Sequence, residues 1–120
     1  MKIALLSVGM VAMALSAAAH HSVPVNFDQS KEVTVTGVLT EIKWINPHSR
    51  FRIDVKNEDG STAEWLVEMG SINTMKRASF ETGRFALGDT VTITGWPGRR
   101  GRVVLLRTVI AADGTRLSPP

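Results

Sequence analysis

The 120-residue sequence contains no cysteine, no tyrosine and only three histidines, and aromatic residues make up 6% of it. Without cysteine there is no disulfide to staple the fold, no thiolate nucleophile and no paired-thiol metal or redox motif. A lipid anchor on a cysteine is excluded for the same reason. Without tyrosine, no phenol is available as an acid or as an axial metal ligand. No glycine-rich phosphate loop and no Ser/His/Asp catalytic pattern is present. There is no internal repeat and no low-complexity tract. The net charge of +3 is too mild to imply nucleic acid by itself. The longest apolar run, Ile3 to Leu15, is short of the roughly 20 residues that a membrane-spanning helix needs.

What is present at the N-terminus reads as a secretory leader. Lys2 supplies a positive start, Ile3 to Leu15 an uncharged apolar segment, and Ala17 and Ala19 the small residues of an A-x-A cleavage site. Residues 1–19 are therefore expected to be removed on export to the periplasm or beyond, with no stable membrane anchor left afterwards. Residues 20–120 then make one domain of modest core, stabilised by packing alone.

Downstream, the apolar pattern has a period of two. Val23, Val25 and Phe27 alternate in an N-terminal arm over residues 20–31, where Pro24 permits only an edge strand or extended chain. A long strand follows, with Val33 and Val35 on one face. After Gly37 the parity shifts to Val38, Ile42 and Trp44, which predicts a β-bulge at the glycine. Asn46-Pro47 marks a turn. Phe51, Ile53 and Val55 face inward on the second strand, and Ala63, Trp65 and Val67 on the third, across an NEDG hairpin. Ile72, Met75 and Ser79 or Phe80 then fall at helical spacing, with Ser71 as N-cap. Val91 and Ile93 begin the fourth strand, and VVLLRTVIAADG makes the fifth. This order predicts an all-β fold with one short helix: a five-stranded OB-like barrel over residues 32–112, the helix between strands 3 and 4. An open antiparallel sandwich is the alternative. Residues 113–120 are expected to fray as a tail.

The chemistry is concentrated in His20, His21 and His48. Cleavage after Ala19 makes His20 the first residue. Its α-amine and imidazole then chelate one metal together, and a further imidazole from His21 or His48 completes a three-nitrogen set suited to Cu(II). Cleavage one residue earlier places a histidine at position three, which also binds Cu(II) in a square plane. The competing account is that His20 and His21 form a solvated stub and that His48 is a turn histidine donating to a nearby carbonyl. The arm and the strand from Val33 to Trp44 each span about 40 Å at roughly 3.3 Å per residue, so an arm doubling back along that strand brings His20 to His48.

Weaker candidates surround these. Glu64 and Glu68 share the outward face of the third strand, as an acid–base pair or as a solvated face. Met69 and Met75 are soft ligands for Cu(I), although helical spacing places Met75 in the core. Trp44, Trp65 and Trp96 offer a stacking surface, with Trp65 better placed as core. Arg99, Arg100 and Arg102 form a basic turn.

The AHHS junction (His20, His21, Ser22), NFDQSK, the Trp-Ile-Asn-Pro-His turn ending in His48, GSINTMKR and LGDTVTITG together resemble an uncharacterised domain-of-unknown-function family of small exported proteobacterial proteins. The resemblance covers essentially the whole chain after the leader. It implies export and a small β-barrel, and carries no established activity. This chain has MGSINTM where members often begin the helix with a glycine-rich stretch.

Three functional expectations follow. The first is an exported metal-binding module, with copper held by His20, His21 and His48. The second is a module that binds a small ligand, an oligosaccharide, a peptide or an envelope protein through its barrel. The third, a small copper oxidase, is disfavoured by the limited surface and the missing tyrosine. Nucleic acid is not expected as a partner, because of export and low charge.

Overall fold

A computed structural model describes residues 23–120. The leader, His20 and His21 lie outside the described residues. The elements are β1 (Val33–Lys43), β2 (Arg50–Lys56), β3 (Thr62–Glu68), α1 (Ile72–Arg77), a 3₁₀ turn (Thr82–Arg84), β4 (Thr90–Pro97), β5 (Val103–Ile110) and β6 (Arg116–Leu117). The sheet runs β3-β2-β1-β4-β5-β6. It closes where Leu66, Val67 and Glu68 of β3 pair in parallel with Val103, Val104 and Leu105 of β5. The five long strands thus form a barrel, with the helix between β3 and β4 as the pattern predicts. Closure removes much of the exposed sheet edge.

The bulge lies three residues beyond its expected place. Val33, Val35, Gly37 and Leu39 keep one inward face, and the register with β2 shifts between Leu39 and Glu41. Val38 is consequently exposed rather than inward. Gly37 answers a different need. A Cβ there would lie 2.5 Å from the carbonyl oxygen of Asp54, so the glycine lets β1 and β2 approach closely rather than turning the strand over.

The interior holds Leu39, Phe51, Ile53, Val67, Met69, Met75, Val91, Ile93, Val104 and Val109. α1 closes one end of the barrel. Ser71 caps it by accepting from the Thr74 amide, and Met75 drops into the core. Phe80 and Phe85 stack nearly parallel, and Trp44 and Phe51 pack beside them. The C-terminal segment is not a frayed tail. Arg116 and Leu117 pair with Ile110 and Val109 of β5, and Leu117 packs against the core. A turn at Asp113-Gly114, with Gly114 at φ 87°, sends the chain back to make this pairing.

The N-terminal segment departs most from expectation. Residues 23–26 form a single helical turn, closed by the Phe27 amide donating to the Val23 carbonyl at 2.8 Å. Phe27 then makes one antiparallel bridge to Gly98 and is buried, while Val25 is 69% exposed. The spacing that matters is Val23 to Phe27, four apart, and not the alternation that included Val25. The segment therefore does not run back along β1. It crosses the loop between β4 and β5.

Candidate functional site

Two loops frame one face of the barrel. The first, residues 44–49 between β1 and β2, presents His48. Ser49 is fully buried beneath it, its hydroxyl 3.3 Å from both the amide and the carbonyl of Ile45. The Ser49 amide donates to Gly70 and the Ser49 carbonyl accepts from Met69, while Ile45 accepts from Ile72. These bonds tie the loop to the end of β3 and the start of α1, so His48 projects from a fixed base. His48 is exposed, and among the described residues it makes no hydrogen bond to a neighbouring carbonyl.

The second loop, residues 98–102, joins β4 to β5 and carries Arg99 and Arg100. It is bound to the N-terminal segment. The Arg99 amide donates to Asn26 and its Nε to the Pro24 carbonyl, and the Asp28 amide donates to Pro97. Asp28 also lies 3.9 Å from the Arg99 guanidinium. Its carboxyl sits below the usual carboxylate range, chiefly because the Ser30 hydroxyl and amide donate to it.

Between the loops runs a groove in two halves. One half, about 510 Å³, is lined by Val25, Asn26, Phe27, Gly98, Arg99, Arg100 and Val103. The other, about 300 Å³, is lined by Ile45, Pro47, His48, Arg50, Arg52 and Leu66. Glu68 lines both. It is the last residue of β3, facing outward because Val67 before it points into the core.

The charges on this face are mostly spoken for. Arg52 donates to Glu41 at 2.9 Å and to Glu64 at 2.8 Å. The Arg50 Nε is buried, 3.6 Å from the same Glu41 oxygen, and forms no hydrogen bond. Burial pushes the Glu41 carboxyl up, but Arg50, Lys43 and Arg52 outweigh it and hold the group below its ordinary range. Glu64 is thus half of an ion pair and not a free acid or base. Glu68 has no ion-pair partner among the described residues.

The other candidates scatter. Met69 and Met75 are sealed in the core, out of reach of a surface metal. Trp44 and Trp65 pack against the core, and Trp96 lies beneath the Arg107 guanidinium at 4.4 Å, so the three tryptophans make no common stacking surface. Of the three histidines only His48 is among the described residues. No group of three or more His, Asp or Glu side chains converges among those residues. Sequence reasoning had identified Glu68 but paired it with Glu64. Its place between the groove halves depends on the β3–β5 closure, which no local pattern announces.

The model for the family of unknown function DUF6152 matches residues 7–107. The chain belongs to that family. No curated protein matches it in sequence. Among solved structures, the mitochondrial single-stranded DNA-binding protein Rim1 of S. cerevisiae is similar over 75% of this chain and 96% of its own, at 12% identity and a TM-score of 0.53. A ZRD-deleted mutant of TiaS in complex with agmatine is similar over 75% of this chain but 26% of its own, at 18% identity and a TM-score of 0.54. A small single-stranded DNA-binding protein from Streptomyces coelicolor is similar over 66% of this chain and 89% of its own, at 20% identity and a TM-score of 0.49. At these identities the likeness concerns the fold, which is the OB-like barrel. The expectation that excluded nucleic acid does not stand, because Rim1, named for binding single-stranded DNA, shares this architecture. An expected export and a low net charge were too weak a ground for it: what matters to a polyanion is the local arrangement of arginines, and several line this groove.

Proposed function

We propose that this protein is an exported binding module that holds copper at its mature N-terminus, with His20 and His21 supplying nitrogen donors together with His48. The observation that carries the reading is the docking of residues 23–28 on the loop between β4 and β5. This docking sets Val25 in the wall of a groove whose central residue, Glu68, also borders His48. His20 is five residues before Val25, a reach of up to about 16 Å in extended chain. That reach is compatible with His20 meeting His48, by a route other than the one along β1. An imidazole–amine set of this kind suits Cu(II). Export is supported by the leader-like residues 1–19 and is tested by mass spectrometry of the protein recovered from the periplasm, where the chain is expected to begin at His20.

The decisive measurement is a Cu(II) titration with electron paramagnetic resonance on the exported, cleaved protein beside His48→Ala. A one-equivalent nitrogen-rich signal that changes in His48→Ala is expected. A signal indifferent to His48 would mean ordinary terminal chelation and would end the copper reading.

A second reading has its own support. Arg99 and Arg100 line one half of the groove and Arg50 and Arg52 the other, and apolar Val103 and Leu66 line the same halves respectively. This is chemistry for an extended polyanion, and the barrel is shared with single-stranded DNA-binding proteins. Fluorescence anisotropy with a labelled single-stranded oligonucleotide, at low and physiological salt, tests it. Binding that weakens steeply with salt and is reduced in Arg100→Gln supports the reading. Absence of binding at low salt removes it.

A further inference from the structure

We propose that Glu68 makes the groove selective for guanine in a single strand, its carboxylate accepting from the N1 and N2 hydrogens of the base while the arginines take the phosphates; this rests on the polyanion reading above. Three observations lead there. The first is the pattern of charge. Arg99 and Arg100 line one half of the groove and Arg50 and Arg52 the other, and Glu68 is the single acid among the described residues that line it, common to both halves. A strand occupying both halves meets positive charge in each and one negative charge on the wall they share. Phosphates suit the arginines. Beside Glu68 a phosphate is repelled, so the carboxylate favours a part of the ligand that is uncharged and donates hydrogen bonds.

The second observation is that this carboxylate has its acceptor capacity to spare. Arg52 donates to Glu41 and Glu64, Arg50 lies against Glu41, and Arg99 donates to the Pro24 carbonyl. Among the described residues the Glu68 side chain forms neither an ion pair nor a hydrogen bond. Glu68 is half-buried, and a carboxylate that has lost part of its water is unfavourable unless donors meet it. Ionised, it is an acceptor only, through two oxygens. The third observation is rigidity. The Glu68 backbone is held on both flanks, by pairing with Arg50 in β2 and with Leu105 in β5. A side chain on a doubly paired strand is placed more precisely than one on a loop, and telling bases apart needs that precision.

Among the bases, guanine alone offers two adjacent donors on one edge, the N1 hydrogen and the N2 amino group, which match the two oxygens of a carboxylate. Cytosine and adenine present an amino group beside an acceptor nitrogen, and thymine one N–H between two carbonyl oxygens. Those acceptors face a carboxylate unfavourably. Stacking, which tolerates any base, has little to work with here. Apart from the His48 imidazole, the only aromatic ring lining the groove is Phe27, and it is buried. Hydrogen bonding therefore carries a larger share of the discrimination.

The test is fluorescence anisotropy at low salt with three labelled strands of equal length: a thymine tract, the same tract with isolated guanines, and the same tract with deoxyinosine in their place, which lacks the N2 amino group. Wild type is expected to bind the guanine strand about tenfold more tightly than the thymine tract, the low end of what a bidentate base contact supplies, with the deoxyinosine strand between. Glu68→Ala is expected to bring the three strands to one affinity, and to bind the thymine tract at least as tightly as wild type because a like charge is gone. Glu68→Gln keeps the shape of the side chain and is expected to reduce the guanine preference. Glu64→Gln, two residues away on the same strand face but engaged by Arg52, is expected to keep it. Amide spectra of each variant confirm that the barrel is intact. If wild type binds the three strands equally, or if the guanine preference survives in Glu68→Ala, the assignment of Glu68 is overturned and the polyanion reading stands. If no strand binds at low salt, both fail.

Discussion

Truncating Phe27 tests whether the N-terminal segment is held by packing, as the route from the terminus to His48 requires. Phe27 is 6% exposed, in the groove wall beside Gly98 and Val103. A buried Phe→Ala change costs about 3–5 kcal/mol. Because the site lies at the margin of the barrel, where neighbours are free to settle into the space, the lower end applies, about 3 kcal/mol. At 1.4 kcal/mol per factor of ten, the docked state should lose roughly a hundredfold in population relative to the undocked one. Two amides report on this directly. The Asp28 amide donates to Pro97 and the Arg99 amide donates to Asn26, both across the docking interface. In Phe27→Ala, hydrogen exchange at these two positions should accelerate by up to that factor, while amides of the β2–β3 ladder keep their protection. The segment contributes a single bridge to the sheet, so it is expected to open as a local unit without melting the barrel. If the Asp28 and Arg99 amides stay protected within a few-fold of wild type, packing by Phe27 does not hold the segment, and the argument that directs the terminus toward Glu68 and His48 is lost. In the copper experiment, the same variant should reduce the effect of His48→Ala, because a released terminus binds metal without the barrel.

Two further perturbations bear on the barrel. Gly95→Ala would place a Cβ 2.0 Å from the Leu105 carbonyl oxygen, at the register shift in the β4–β5 ladder; a melting temperature lowered by at least about 10 °C is expected, against little change for Gly83→Ala, where a Cβ meets nothing, and equal melting of the two would refute the close-packing argument. Asp28, Asp59 and Asp113 are each held below the ordinary carboxylate range, first of all by the hydrogen bonds they accept from Ser30, Ser61 and Thr115 respectively. A carboxylate with a lowered folded pKa contributes stability above its unfolded value, near 3.9, and loses that contribution as pH falls through the folded value. Thermal melts should therefore be level from about pH 8 to 5 and decline below about pH 4, with a shallower decline in Asp113→Asn; an unchanged decline in that variant would remove Asp113 from the account.

The strands and the helix were readable because each carries its own period. Phe51, Ile53 and Val55 repeat at two, Ile72 and Met75 at three, and Ser71 stands at the cap. The bulge was misplaced because a glycine near a change of parity has two explanations, and the close approach of the Asp54 carbonyl that demands Gly37 is made by another strand. The N-terminal segment was misread because Val23, Val25 and Phe27 satisfy alternation, while Val23 and Phe27 alone satisfy a helical turn. The choice fell to the pocket beside Gly98 that receives Phe27. His48 stood out in the sequence as one of three histidines beside a proline turn. Glu68 was named only beside Glu64, because an acid alternating with Leu66 and Glu64 looks like any solvated strand face.

The sequence by itself determined the order of the long strands, the position of the helix, the need to fold without disulfides, and which histidines are candidate ligands. These follow from side-chain pattern and chemistry, which are local. Only the tertiary structure decided that β3 meets β5, that residues 23–28 cross the loop between β4 and β5, and that Glu68 lines both the pocket of His48 and the pocket of that segment. Such contacts join positions tens of residues apart, and their energy comes from packing surfaces that exist only once the barrel has closed.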